Sequence, residues 1–121
     1  MRRTDFRDLL VWQKSKAICL DLYRATNNFP SHEKFGIVSQ IRNAAVSVPL
    51  NIAEGHGRSS DADFSRFLYI SLGSVKELET LVDIAEALSF LETGNDFSLR
   101  LTEISKMLSG LISTLKSNAQ S

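Results

Sequence analysis

Almost nothing in this sequence could hold a metal ion or build a nucleophile. There is one cysteine, Cys19, and there are two histidines, His32 and His56. A lone cysteine closes no internal disulfide, and without a C-x-x-C pair structural zinc is excluded in practice. The glutamates near the histidines, Glu33 and Glu54, stand one and two positions away. Metal sites in helical bundles need Glu and His three apart, so that both leave one face of the helix. No metal, no cofactor and no catalytic constellation is therefore expected.

Other shortages narrow the class further. The apolar run near the start, Leu9 to Trp12, is too short for a signal peptide or a membrane span. Formal net charge is zero, with 14 Lys+Arg against 14 Asp+Glu, so the chain lacks the uniform positive field of a dedicated nucleic-acid binder. Cys19 falls in an apolar pattern, the place of a small buried hydrophobe, and a soluble protein of the reducing cytoplasm is expected. At 121 residues and 43% hydrophobic content, residues 1–121 fit one domain whose core needs no staples.

What is present is helical periodicity. Val38, Ile41, Ala45, Val48 and Ile52 recur at alternating spacings of three and four, which puts them on one side of a helix. Pro49 lies inside that pattern, where the missing N–H and the ring's clash cost roughly 3 kcal/mol. The stripe keeps its phase across the proline, which predicts one helix kinked at Pro49, or a break restarted by Ser47, with Ser47 and Asn51 bonding the freed backbone. Gly55-His56-Gly57 predicts its end, either glycine supplying a left-handed closing residue.

Before it, Thr4 or Asp5 caps a first helix striped by Val11, Trp12, Ser15, Ile18, Cys19, Leu22, Tyr23 and Ala25, and Ser31 caps the second. After Gly57, a serine followed by Asp61 and Asp63 starts a third helix that runs to about Ser89. Its stripe is Phe64, Phe67, Leu68, Ser71, Val75, Leu78, Val82 and Ala85, flanked by Leu81 and Leu88. Gly73 inside it costs roughly 1 kcal/mol relative to alanine, which predicts close approach of a neighbouring backbone. Phe97, Leu101, Ile104, Leu108, Leu111 and Leu115 stripe a fourth helix. The expected fold is all-α: an antiparallel up-down-up-down four-helix bundle, its second helix kinked at Pro49.

Charge is spread unevenly. Residues 1–58 hold nine Lys/Arg against five Asp/Glu, and residues 59–121 hold five against nine. Complementary halves of a bundle are the first reading, since antiparallel helices often complement each other's charge, and a basic face on a neutral molecule is the other. Asn51, Glu54 and Arg58 share one helix face. Read structurally, Glu54 pairs with an arginine and Asn51 repairs the backbone near Pro49; read functionally, they form a polar patch for a partner, with Arg42 and Arg58 as phosphate contacts. Gly55-His56-Gly57 closes a helix rather than opening one, so it is a turn and not a phosphate loop. Trp12, Tyr23 and Tyr69 read as core or subunit-contact residues, since they occupy or border apolar stripes.

Four segments carry a resemblance. Asp8-Leu9-Leu10-Val11-Trp12-Gln13-Lys14, Phe29-Pro30-x-x-Glu33-x-Phe35-Gly36, the run from Gln40-Ile41-Arg42 through Ser47-Val48-Pro49-x-Asn51-Ile52-Ala53-Glu54-Gly55, and Gly73-Ser74-x-x-Glu77-Leu78-Glu79 resemble the 23S rRNA intervening-sequence proteins. That resemblance implies a small four-helix bundle that assembles into a homo-pentamer, with RNA association suspected and no catalysis established. It also implies distant similarity to the basic pentameric accessory protein of diversity-generating retroelements. The family usually has a second basic residue after Gln-x-Arg; here Asn43 stands in that place.

The leading expectation is a non-catalytic homo-oligomer, pentameric by resemblance, meeting RNA or another nucleic acid through Arg2, Arg3, Arg7, Arg42 and Arg58, with Asn51, Glu54 and Gly55 as a polar motif. The alternative is a protein-binding scaffold with no nucleic-acid role. An enzyme ranks third, and neither a membrane nor a small-molecule substrate is expected.

Overall fold

Helix-forming periodicity over most of the chain produces four α-helices: α1 (Leu10–Thr26), α2 (Ile37–His56), α3 (Asp61–Ala87) and α4 (Phe97–Gln120). The structure is a computed structural model that describes residues 5–120, with side chains to residue 118, and no strand occurs among the described residues. Each helix packs against the next in sequence, and α1 also packs against α4. The levels of contact on α2 fall as those on α3 rise: Val48 meets Ser71, Ser47 meets Ser74, and Gly55 meets Phe64 and Phe67. These two helices therefore run in opposite senses. Lys14 with Glu103 and Asp21 with Arg100 give α1 and α4 the same relation.

The core is the set of stripes read from the sequence. Ile18, Leu22, Ile41, Val48, Ile52, Leu68, Val75, Leu78, Val82, Leu101 and Leu108 are all buried to within 1% of complete exclusion. Burying a Val, Leu or Ile side chain fully is worth about 1.5–3 kcal/mol each, which makes this cluster the main source of stability. Cys19 belongs to it as a small apolar group, and burial raises its thiol pKa above the ordinary value. The buried hydroxyls of Ser15 and Thr26 return to the carbonyls of Val11 and Leu22, at 2.7 and 2.8 Å, so neither costs an unpaired polar group.

Several expectations are corrected. Asp5 caps a separate 3-10 helical turn, Phe6–Asp8, and Leu9 is extended, so α1 begins only at Leu10 and has no side-chain cap. Ser31 opens another short turn, Ser31–Glu33, and α2 waits for the backbone break at Gly36. α2 runs unbroken through Pro49, so no restart at Ser47 is needed. Neither glycine at its end is left-handed: Gly57 closes the helix at φ −77°. Ser89 takes the left-handed role after α3, at φ 62°, while the N–H of Phe90 bonds the carbonyl of Ala85 at 2.8 Å.

Gly73 has no neighbour within 4 Å of where a Cβ would sit, so it makes no close approach; Gly55 does, against Phe64 and Phe67. Ile112 is 4% exposed and takes the core place expected of Leu111, which lies half-buried at the edge. The spacing Ile104, Leu108, Ile112 is a four-residue row, and Leu111 falls to its flank. Tyr23 and Tyr69 stand outside the core, 38% and 47% exposed, and Leu88 is exposed too.

Candidate interaction surface

Arg42 closes the end of α1 from outside it. Its Nε donates to the Thr26 hydroxyl at 2.9 Å, and one terminal nitrogen donates to the Tyr23 carbonyl at 3.1 Å and the Asn27 side-chain oxygen at 2.9 Å. The guanidinium also lies 4.7 Å from the Tyr23 ring centroid. A planar fork next to carbonyls of a helix C-terminus is well matched to the negative end of the dipole. The residue expected to hold phosphate is built into the joint between α1 and α2.

Arg58 is committed in a similar way. It pairs with Glu54 at 3.1 Å, approaches Asp63 at 3.8 Å and stacks 4.7 Å from the Phe67 ring centroid. Glu54 thus has the arginine partner that its spacing called for. Asn51 donates to the Ser47 carbonyl at 2.8 Å and its hydroxyl at 3.0 Å, and Ser74 joins that hydroxyl from α3 at 2.8 Å. Ser71 donates to the Val48 carbonyl at 2.8 Å. Ser71 and Ser74 therefore form a polar seam that fastens α3 to α2 just before Pro49, Asn51 braces Ser47 from within α2, and Gly55 permits close approach of the two helices further along.

At the other flank, the backbone N–H of Arg7 bonds Asp5 Oδ1 at 2.8 Å, and the Arg7 guanidinium meets the same carboxylate at 3.2 Å. Asp5 is held below the ordinary carboxylate range first by that backbone bond, then by the charge and side-chain bond of Arg7. Arg2 and Arg3 lie outside the described residues.

What the sequence reading did not single out is apolar and exposed. From Asn43 to Ala53 the chain has no charged residue, although one side of that helix already fills the core. Val46 and Leu50, one turn apart, stand on the opposite side at 39% and 58% exposure. Ile70 on α3 is 43% exposed, and Phe35 before α2 is 90% exposed. The signal was available: a helix with apolar residues on two opposite sides and no charge over three turns has two faces to cover.

No group of three metal-capable side chains occurs among the described residues, and no helix is long and apolar enough to cross a membrane. The grooves are shallow. One of about 220 Å³ between α3 and α4 is lined by Tyr69, Leu72, Ile112 and Lys116, the ammonium lying 5.3 Å from the Tyr69 ring centroid.

Comparison with known proteins accords with this geometry. The family model described as 23S rRNA-intervening sequence protein matches residues 7–110. No curated protein matches the chain. A solved structure from Bacteroides thetaiotaomicron VPI-5482, described as a protein with unknown function from the S23 ribosomal protein family, is similar at a TM-score of 0.75. It is 26% identical, over 85% of this chain and 98% of that one.

Proposed function

The chain belongs to the 23S rRNA-intervening sequence protein family, and from that membership we propose that it is a non-catalytic assembly protein that works as a homo-oligomer, pentameric by its family resemblance. The observation that carries this is the apolar middle of the outer side of α2, where Val46 and Leu50 face solvent on a helix whose inner side is already buried. Contiguous apolar surface of this kind marks an interaction site rather than a random scatter of exposed side chains. Light scattering on the purified protein tests it: the expected mass is a multiple of 13.5 kDa.

Nucleic acid is the partner that the family's name and the excess of cations in residues 1–58 support. In this reading Arg2, Arg3 and Arg7 meet phosphate, and Arg42 and Arg58 serve mainly as framework. Retention on RNA then falls steeply with salt, each neutralised phosphate releasing counterion. A second reading, a protein-binding scaffold with no nucleic-acid role, is favoured by the intramolecular partners of Arg42 and Arg58. RNA retention at low salt that disappears on replacing Arg2, Arg3 and Arg7 supports the first; no retention at low salt supports the second.

A further inference from the structure

We propose that the copies join head to tail, the outward face of α2 in one copy seated on the outward face of α3 in the next; this rests on the self-association proposed above. Down the outside of α2, at intervals of one turn, run Arg42, Val46, Leu50 and Glu54. Down the outside of α3, at helical spacing, run Arg66, Ile70, Gly73 and Glu77. Val46, Leu50 and Ile70 are exposed, and a Cβ added at Gly73 would meet nothing within 4 Å. Each line therefore reads cation, apolar, apolar or empty, anion in the same chain direction.

Two such lines complement each other only when the helices run oppositely. Arg42 then faces Glu77, Val46 enters the space over Gly73, Leu50 meets Ile70, and Glu54 faces Arg66. Parallel packing would instead oppose Arg42 to Arg66 and Glu54 to Glu77, which is penalised. Arg42 keeps its bonds to the end of α1 through Nε and one terminal nitrogen and meets Glu77 through the other. Glu77 makes no ion pair among the described residues, and the pairs that Glu54 and Arg66 make with Arg58 and Asp63 are exposed ones that the contact can exchange.

Height agrees with charge. Copies related by rotation about an axis along the bundle stand at one level, so α2 of one copy meets α3 of the next, oppositely directed, in the register of the chain's own α2–α3 contact. That register is marked by Val48 with Ser71 and Ser47 with Ser74. It places Val46 beside Gly73 and Leu50 beside Ile70, as the charges require. Continued upward, it brings the exposed Phe35 level with the exposed Ile84. α2 and α3 pack side by side, so their outward faces are not opposed, and successive copies curve into a ring rather than a straight filament.

The test uses two full-length variants, Leu50→Lys with its α3 face intact and Ile70→Lys with its α2 face intact. Light scattering is expected to give 13.5 kDa for each alone and a 1:1 dimer for the equimolar mixture, because mixing restores one contact and no more. Wild-type mass for either variant, or a mixture that stays monomeric, overturns the assignment. If wild type assembles and both variants assemble equally, this surface fails and self-association stands; a monomeric wild type ends both. Should the lysine variants not fold, Gly73→Arg decides. It replaces an exposed helical glycine, so helical content and cooperative unfolding are expected to hold while assembly is lost, and assembly like wild type contradicts the proposal.

Discussion

A methyl group on Gly55 would lie 2.7 Å from Cβ of Phe67 and 2.9 Å from Cδ1 of Phe64, closer than real contacts allow, and 3.1 Å from the carbonyl of Phe64. At Gly55 α3 lies close against α2, and glycine is there for want of room rather than for its backbone freedom. Gly55→Ala is expected to destabilise by about 1–3 kcal/mol, the range for overpacking a tight contact. Gly110→Ala, in a helix with open space around it, is expected to stabilise by about 0.5–1 kcal/mol. Urea melts of the two variants check both signs, and two equal shifts would contradict the contact.

Arg42 separates a framework role from a phosphate role. If it caps α1, Arg42→Ala destabilises by about 1–3 kcal/mol, and Arg42→Lys recovers only part of that because an ammonium cannot reproduce the fork. A phosphate contact predicts the reverse: stability unchanged, RNA retention lowered. Chemical denaturation beside a filter-binding series on both variants decides between them.

Ser71 reaches across the seam to the Val48 carbonyl and is itself fully buried. Ser71→Ala removes the donor and is expected to cost about 1 kcal/mol or somewhat more. Ser74→Ala, at a half-buried position, is expected to cost less. A Ser71→Ala protein as stable as wild type would show that the seam contributes nothing there.

The pH response of Asp5 has a definite sign. Its carboxylate is favoured in the folded state, so its contribution is present above the ordinary value of 3.8 and is lost as pH falls through its lower folded value. Its side chain is exposed, so the contribution is small. A carboxyl carbon titration by NMR is expected to give a midpoint below that of an unfolded peptide, and Arg7→Ala is expected to leave part of the shift, because the Arg7 backbone N–H is the first of its causes. A midpoint at the peptide value would show that the turn does not form.

Much of the fold was legible because most of the helices obey a single period. The stripes of α1, α3 and α4 could be counted off, and Ser60 with Asp61 and Asp63 marked the start of α3 before any coordinates. The candidate site was less legible, since its residues act across long stretches of chain. Arg42 is 16 positions from Thr26, and no local spacing shows that its guanidinium caps another helix. Gly55 and Gly73 are alike in sequence; only the arrangement of α2 against α3 shows which is crowded and which is open. The short turns at Phe6–Asp8 and Ser31–Glu33 carried helix-start residues, and their caps were mistaken for those of the longer helices. Val46 and Leu50 are hidden differently: the buried stripe of α2 already accounts for its helical period, and a second apolar side adds no period of its own.

Native mass spectrometry of the wild-type chain, at micromolar concentration and moderate salt, tests the account at its centre. An assembled species at a multiple of 13.5 kDa, with little free protomer, is the result expected of a bundle whose second helix is apolar on both sides. A single species at 13.5 kDa that persists as concentration rises would contradict it.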